Sequence, residues 1–424
     1  MNAGRRSFVT IVAASAAALA LTACVPPTVG SPSGSQPTVP SSGGPATTAG
    51  SGTPTTSTTT TTTTTVPVPT VPAQPKLYSP TPLNGWGVLK ETAGAFTEYV
   101  DEVEIVGNTV FVGGDFDNAV KGQVTAPRAN FMAVNITNGE LLPFTADTDG
   151  PVTGMTHDGT SLYIGGAFTT VKGIPRRGLA KINLATGAVD PTFAPTSGPV
   201  DDMVIVGSRL YIVGSFNTVN TQTRNRAAAV NTTNGALDPT FVPVADARVR
   251  TVAASPDGSK LYIGGNFLNV TFFPRDYMAE ISPVTGEVQG PDFQRARAAV
   301  FDIQVTADGS KIYGGTQWNV AVQWNAQTGD DEWSVEADGD TQAVLLSNGY
   351  VYQGFHDGYL GDTTQRVHAI DPATGEVQDG FRPVSGAHPG VWTLEADGRY
   401  LVAGGYFASM GGVQVKGLAI FPAS

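Results

Sequence analysis

Residues Leu162 to Pro195 read LYIGGAFTTVKGIPRRGLAKINLATGAVDPTFAP, and recognisable versions of this stretch return several times before the C-terminus. Self-similarity at a fixed period decides an architecture before any local pattern does. An aromatic residue leading into glycine marks the copies at Phe111, Tyr163, Tyr211, Tyr262, Tyr313 and Tyr352, and Leu401 opens a looser seventh. The steps run to roughly 40 to 50 residues, a length known for propeller-type repeats. A second anchor, the glycine of a Thr-Gly or Asn-Gly step, falls at Gly139, Gly187, Gly235, Gly286, Gly329 and Gly375 and has no counterpart after Leu401. The seventh copy is therefore incomplete.

Within one copy the pattern is four short runs with strand chemistry: Val200 to Val206 (VDDMVIV), Arg209 to Val213 (RLYIV), Ala227 to Asn231 (AAAVN) and Ala236 to Pro243 (ALDPTFVP). Apolar residues alternate or run together over four to seven positions between Gly, Asn, Asp or Pro, and no stretch carries a long 3.6-residue period. Each copy is predicted to be a four-stranded antiparallel meander. Asp158-Gly159, Asp257-Gly258, Asp308-Gly309 and Asp397-Gly398 fall between the first and second runs, where a tight hairpin favours positive φ, so these aspartates read as turn residues rather than metal ligands. One such sheet cannot bury both faces, and radial stacking of copies gives an all-β propeller. The count predicts seven four-stranded blades over residues 77–424, with Trp86 to Phe96 (WGVLKETAGAF) supplying the outer strand that the last copy lacks.

Residues 1–24 stand apart from the repeats. Arg5 and Arg6 form a basic segment and Phe8 to Ala20 an apolar one too short to span a bilayer, the build of an export signal. Leu21-Thr22-Ala23-Cys24 follows and resembles the lipobox of bacterial lipoproteins, which implies acylation of Cys24 and a membrane anchor outside the cytoplasm. Gly4 to Val9 (GRRSFV) also resembles a twin-arginine signal, which implies export of an already folded domain. Residues 25–76 are rich in Thr, Pro, Ser and Gly, including an unbroken run from Thr58 to Thr65. That composition cannot build a core and reads as a disordered stalk.

All 36 acidic residues follow Lys76, against 21 basic ones (24 less Arg5, Arg6 and Lys76), a balance of −15. Such a surface excludes nucleic acid and an anionic membrane surface as partners of the repeat domain. Cys24 is the only cysteine, which excludes a disulfide framework, a thiolate zinc site and a cysteine nucleophile in the domain. No nucleophile elbow, zinc-protease motif, phosphate loop or EF-hand spacing occurs. The sequence predicts a monomer without metal or cofactor and assigns no catalytic residue.

Candidate sites come from comparing the copies. Arg128, Arg176, Arg224 and Arg275 lie eleven residues before the turn glycine in the first four copies. Recurrence in four copies marks them as architectural, their guanidinium groups bonding loop carbonyls or acidic neighbours. Phe193, Phe241, Phe293 and Phe381 read as core. Four of the five tryptophans and three of the four histidines (His356, His368, His388) lie between Trp318 and Trp392. Trp318, Trp324, Trp333, His356, Asp357 and Trp392 form a candidate binding set, since aromatic faces beside carboxylates suit a sugar. The competing reading is that the tryptophans fill volume left by a shortened loop. The residue after the valine opening each inner strand also varies, through Asp101, Thr153, Asp201, Arg250, Phe301 and Trp392. Asp101, Asp201 and Arg250 are candidates for a small polar molecule or cation at a channel mouth; the alternative is a plain wet channel.

The repeats at 162–195 and 209–241 resemble the delta-60 β-propeller repeats of secreted and surface-attached bacterial proteins, a resemblance that implies fold and location but no reaction. Asn325 to Trp333 (NAQTGDDEW) resembles the tryptophan docking motif of quinoprotein-like propellers. The expected function is a lipid-anchored, surface-exposed binding or scaffold module for a protein partner or envelope glycan. The alternative is an enzyme on the same propeller, a glycan hydrolase or lyase or a quinoprotein-like oxidoreductase.

Overall fold

The computed structural model describes residues 75–91, 99–293, 296–386 and 390–424. The expected signal peptide with Cys24, nearly all of the expected stalk, His388 and the second half of the Trp86 to Phe96 segment lie outside the described residues. Among those described there are only strands, turns and loops.

The strands form seven consecutive antiparallel meanders. Their opening strands are Tyr99–Val106, Val152–His157, Val200–Val206, Val249–Ala254, Val300–Val305, Thr341–Ser347 and Gly390–Ala396. Each pairs with a second strand carrying the aromatic-glycine step, which pairs with a third. The opening strands neighbour one another in chain order, and Tyr99–Val106 also lies against Gly390–Ala396.

The expectation of four strands per copy holds for the fourth, fifth and sixth meanders. In the first three the outer strand shrinks to one bridge: Val134 to Leu141, Ile182 to Val189 and Val230 to Leu237. A proline follows each outer residue by two positions (Pro143, Pro191, Pro239) and removes a ladder donor. Where the sequence reads as polar loop between second and third strands, the structure adds small hairpins such as Thr170–Val171 with Ile174–Pro175 and Asn269–Val270 with Phe273–Pro274.

Packing between meanders rests on the aromatic-glycine step. A Cβ on Gly113 would stand 2.7 Å from Val152 Cγ1 of the next meander, and one on Gly404 of the seventh would stand 2.5 Å from Val100 Cγ1 of the first. The opening valine of one meander occupies the space that glycine leaves in its neighbour. Around these contacts the phenylalanines expected as core are buried, each against the tyrosine of its own second strand: Phe193 on Tyr163, Phe241 on Tyr211, Phe293 on Tyr262 and Phe381 on Tyr352, with centroids 5.0 to 6.1 Å apart.

The last meander receives an N-terminal segment, but an earlier one than expected. Tyr78 bridges Ala423, the Ser79 amide donates to Pro422 O at 2.8 Å and the Leu83 amide to Ile420 O at 2.8 Å. The described part of Trp86 to Phe96 instead gives a strand, Gly87–Leu89, that pairs with Asn118–Lys121, and reaches the last meander through Val88 N–H to Lys416 O. Pro80 and Pro82 lie within this stretch, but they alternate with the donors Ser79 and Leu83, so an outermost position tolerates them.

Candidate functional site

Each of the seven opening strands carries a β-bulge at the same place. The register shifts between Val100 and Glu102, Val152 and Gly154, Val200 and Asp202, Val249 and Thr251, Val300 and Asp302, Thr341 and Ala343, and Val391 and Thr393. The residues left over are Asp101, Thr153, Asp201, Arg250, Phe301, Gln342 and Trp392. Six of these are the variable positions singled out from the sequence; Gln342 escaped because threonine rather than valine precedes it. A bulge frees one side chain from the ladder and re-aims it, and all seven line a single cavity of about 250 Å³.

The wall of this cavity is acidic, with Glu102, Asp202, Asp302 and Glu395 joining Asp101 and Asp201. Burial pushes Asp101, Glu102 and the neighbouring Glu104 well above the usual carboxylate range. Burial likewise lifts Asp202 to about 6 and Asp302 to about 7, and burial with the nearby Asp302 lifts Glu395 to about 7. Two of these groups also tie meanders together: Asp202 Oδ2 accepts the Val252 amide and Asp302 Oδ2 the Val344 amide, each at 2.8 Å.

Two arginines of the fourth meander interrupt the acidic wall. Arg248 grips Asp201 through Nε and Nη2, both at 2.7 Å. The fork holds Arg248 above its ordinary value and offsets part of the burial that still leaves the Asp201 carboxyl raised. Arg250 donates from Nε to Asn266 Oδ1 at 2.8 Å and lies over the Phe301 ring, 4.7 Å from its centroid. Trp392 meets Tyr99 edge-on at 4.6 Å. The expected channel-mouth residues Asp101, Asp201 and Arg250 thus share one cavity with Trp392.

The rest of the aromatic set does not gather there. Trp324 is fully enclosed, against Phe293 at 6.0 Å, and presents no surface to a ligand. Trp333 donates from Nε1 to Pro372 O at 3.0 Å and packs on Gly375, clamping the fifth meander to the sixth. Trp318 is 47% exposed, with the Arg297 guanidinium 4.9 Å above it. His356 sits beside Asp340 (3.7 Å) and Asp357 (3.0 Å). His368 is buried between Phe355 and Tyr359, bonded to Gln353 Oε1 at 2.8 Å, and burial drives it down to about 3. Among the described residues no three His, Cys, Asp or Glu side chains group as a metal site.

The arginine column bonds carbonyls: Arg128 reaches Pro127 O and Leu142 O, Arg176 Phe193 O, Arg224 Thr223 O and Asp238 O, and Arg275 Pro274 O. Arg366 does the same to Gln365 O in the sixth meander, where altered spacing hid it from the sequence. The turn aspartates accept their own turn amides, as in Ser259 N–H to Asp257 Oδ1 at 3.0 Å.

A family model described as a domain of unknown function (DUF5122) beta-propeller matches residues 161–193 and 208–241, inside the second and third meanders. No curated protein matches. Among solved structures the chain is similar to the computationally designed Ika8 protein, at 13% identity over 81% of this chain and 99% of that one, with a TM-score of 0.50. At that identity the likeness concerns fold alone. The all-β repeat domain is a β-propeller, and nothing in these likenesses assigns it a reaction.

Proposed function

We propose that the domain is a seven-bladed propeller, completed by residues 78–83, and that it serves as a lipid-anchored binding module outside the cytoplasm, with the axial cavity as its ligand site. The carrying observation is that seven bulges aim seven residues of a variable repeat position into one cavity. A repeat that needed only to fold would have no call for six different side-chain types at these seven positions. At about 250 Å³ the cavity lies just under the usual range for ligand pockets, roughly 300 to 1,000 Å³, which fits one sugar ring or a molecule of similar size. The end unit of an envelope glycan or a polar group of a partner protein suits it. Cys24 supplies the anchor and the 25–76 segment the spacing from the membrane.

The test is an array of envelope glycans and small polar compounds probed with the full-length chain and with Trp392→Ala. Binding that the folded variant loses supports the axial site, and equal binding by both proteins removes it. Cys24→Ser should move the protein from the membrane to the aqueous fraction and abolish palmitate labelling. A second reading, glycan hydrolysis, draws on Asp302 and Glu395, both held near 7 by burial; it requires release of a reducing sugar from a bound glycan.

A further inference from the structure

The charges around the axial cavity are unevenly committed. Asp201 and Arg248 satisfy each other, and Asp202 and Asp302 accept amides of the next meander. Asp101 makes no hydrogen bond to another described residue, and its electrostatic neighbours are Asp115, Arg248 and Asp201. Arg250 uses only Nε, on Asn266, and its two terminal nitrogens have no partner among the described residues. The ring of Phe301 holds the guanidinium plane in place.

Asp101 and Arg250 are both bulged residues, of the first and fourth meanders, and both line the same cavity. They do not form an ion pair with each other. Opening strands adjoin in chain order, with the first also against the seventh, so three steps separate these two and they stand on different walls. Burial holds Asp101 toward its neutral form, and a cationic group entering beside it favours the ionised form. Together with the Arg250 guanidinium it leaves room for a ligand with a cationic and an anionic end. A guanidinium with both terminal nitrogens open is the geometry for bidentate capture of a carboxylate. Asp101 acts on Tyr99 electrostatically and shares the cavity lining with Trp392, surroundings in which an ammonium gains from the carboxyl group it ionises and from the aromatic rings.

We propose that the axial cavity takes a small zwitterion of α-amino-acid type, its carboxylate on Arg250 and its ammonium against Asp101. This rests on the axial cavity being the ligand site and narrows the ligand to a class. A neutral sugar would leave the Arg250 charge unanswered, and a simple cation or anion would engage only one of the two groups.

The experiment is calorimetric titration of the full-length chain with each standard α-amino acid, then with the α-amide and the N-acetyl derivative of the tightest binder, and with glucose. The expected result is binding of the zwitterion at least tenfold tighter than either singly charged derivative, since each lost charged contact is worth about a factor of ten or more. Arg250→Gln should weaken the amino acid at least tenfold and leave the amide unchanged; Asp101→Asn should weaken the amino acid and the amide and leave the N-acetyl derivative unchanged. Thermal melts confirm that both variants fold. The proposal is overturned if no amino acid binds at about 10 mM, if the three forms bind alike, or if either variant binds as the parent does. If glucose or an envelope glycan binds and Trp392→Ala abolishes it while amino acids do not bind, the zwitterion is wrong and the axial site stands. If Trp392→Ala changes nothing on the glycan array, the site itself is wrong.

Discussion

The Asp202 carboxylate of the third meander accepts the Val252 amide of the fourth at 2.8 Å, while its other oxygen takes the Met203 amide of its own strand at 2.6 Å. One side chain thus bridges two meanders at the bulge, where the ladder itself leaves a gap. Asp202→Ala orphans both amides. Loss of a buried partner costs about 1 to 3 kcal/mol, measurable as a lower midpoint in urea unfolding, whereas Asp202→Asn keeps one acceptor and should lose less.

The same carboxylates set a pH dependence. A carboxyl with a folded pKa above its unfolded value holds more protons in the folded state between those two values, so stability falls as pH rises through that window. Asp202 at about 6 and Asp302 and Glu395 at about 7 place the loss between about pH 4 and 7. His368, held down at about 3 by burial, works the other way, because its unfolded form gains a proton below about 6.5. Three carboxyls outweigh one imidazole. The midpoint temperature should be higher at pH 5 than at pH 8, and Asp302→Asn should flatten the slope. A rise in stability toward pH 8 would sink this account of the cavity.

Two tryptophans separate core from surface. Trp324→Ala leaves a cavity in the centre of the fifth meander and should cost about 3 to 5 kcal/mol. Trp318→Ala, at a half-exposed ring under Arg297, should cost no more than about 1 kcal/mol. Parallel denaturant melts of the two variants decide it, and equal losses would contradict the packing described.

Much of this was legible because repetition averages out local noise. Phe193 recurs as Phe241, Phe293 and Phe381, so these read as core from sequence, Tyr163 and Tyr211 read as anchors of the repeat, and the column from Arg128 to Arg275 read as architecture. The bulged residues were visible as variation on a fixed valine, although the bulge itself was not, since one extra residue in a strand leaves no compositional mark. Trp318 and Trp324 could not be told apart, as six residues at a shortened loop carry no sign of which ring turns inward. Arg366 and Gln342 were missed where the copy drifts from its own consensus. Tyr78 was missed because two prolines outweigh one aromatic in any local reading of strand character.

Gly404 is the clearest single position at which to test how the seventh meander meets the first. Its missing Cβ would stand 2.5 Å from both Val100 Cγ1 and Thr393 Cγ2. Overpacking of this kind costs about 1 to 3 kcal/mol. Gly404→Ala should therefore lower the melting temperature, and Val100→Ala placed on top of it should recover part of the loss, a coupling that a double-mutant cycle reads directly. Additive effects would mean that the two residues do not touch.

Tyr78 has its ring against Tyr352 at 5.5 Å, its hydroxyl on Ser347 at 2.8 Å and its backbone bridged to Ala423, and Ser424 Oγ donates to Leu77 O across 347 positions of chain. At translation speeds of about 5 to 20 residues per second, the ribosome needs roughly 20 to 70 s to travel between those partners. For all of that time the first-made edge has nothing to pair with. The pairing consequently joins two segments far apart in time: without residues 420–424 the 77–83 segment keeps an open sheet edge, the kind of surface that invites aggregation or capture by a protease.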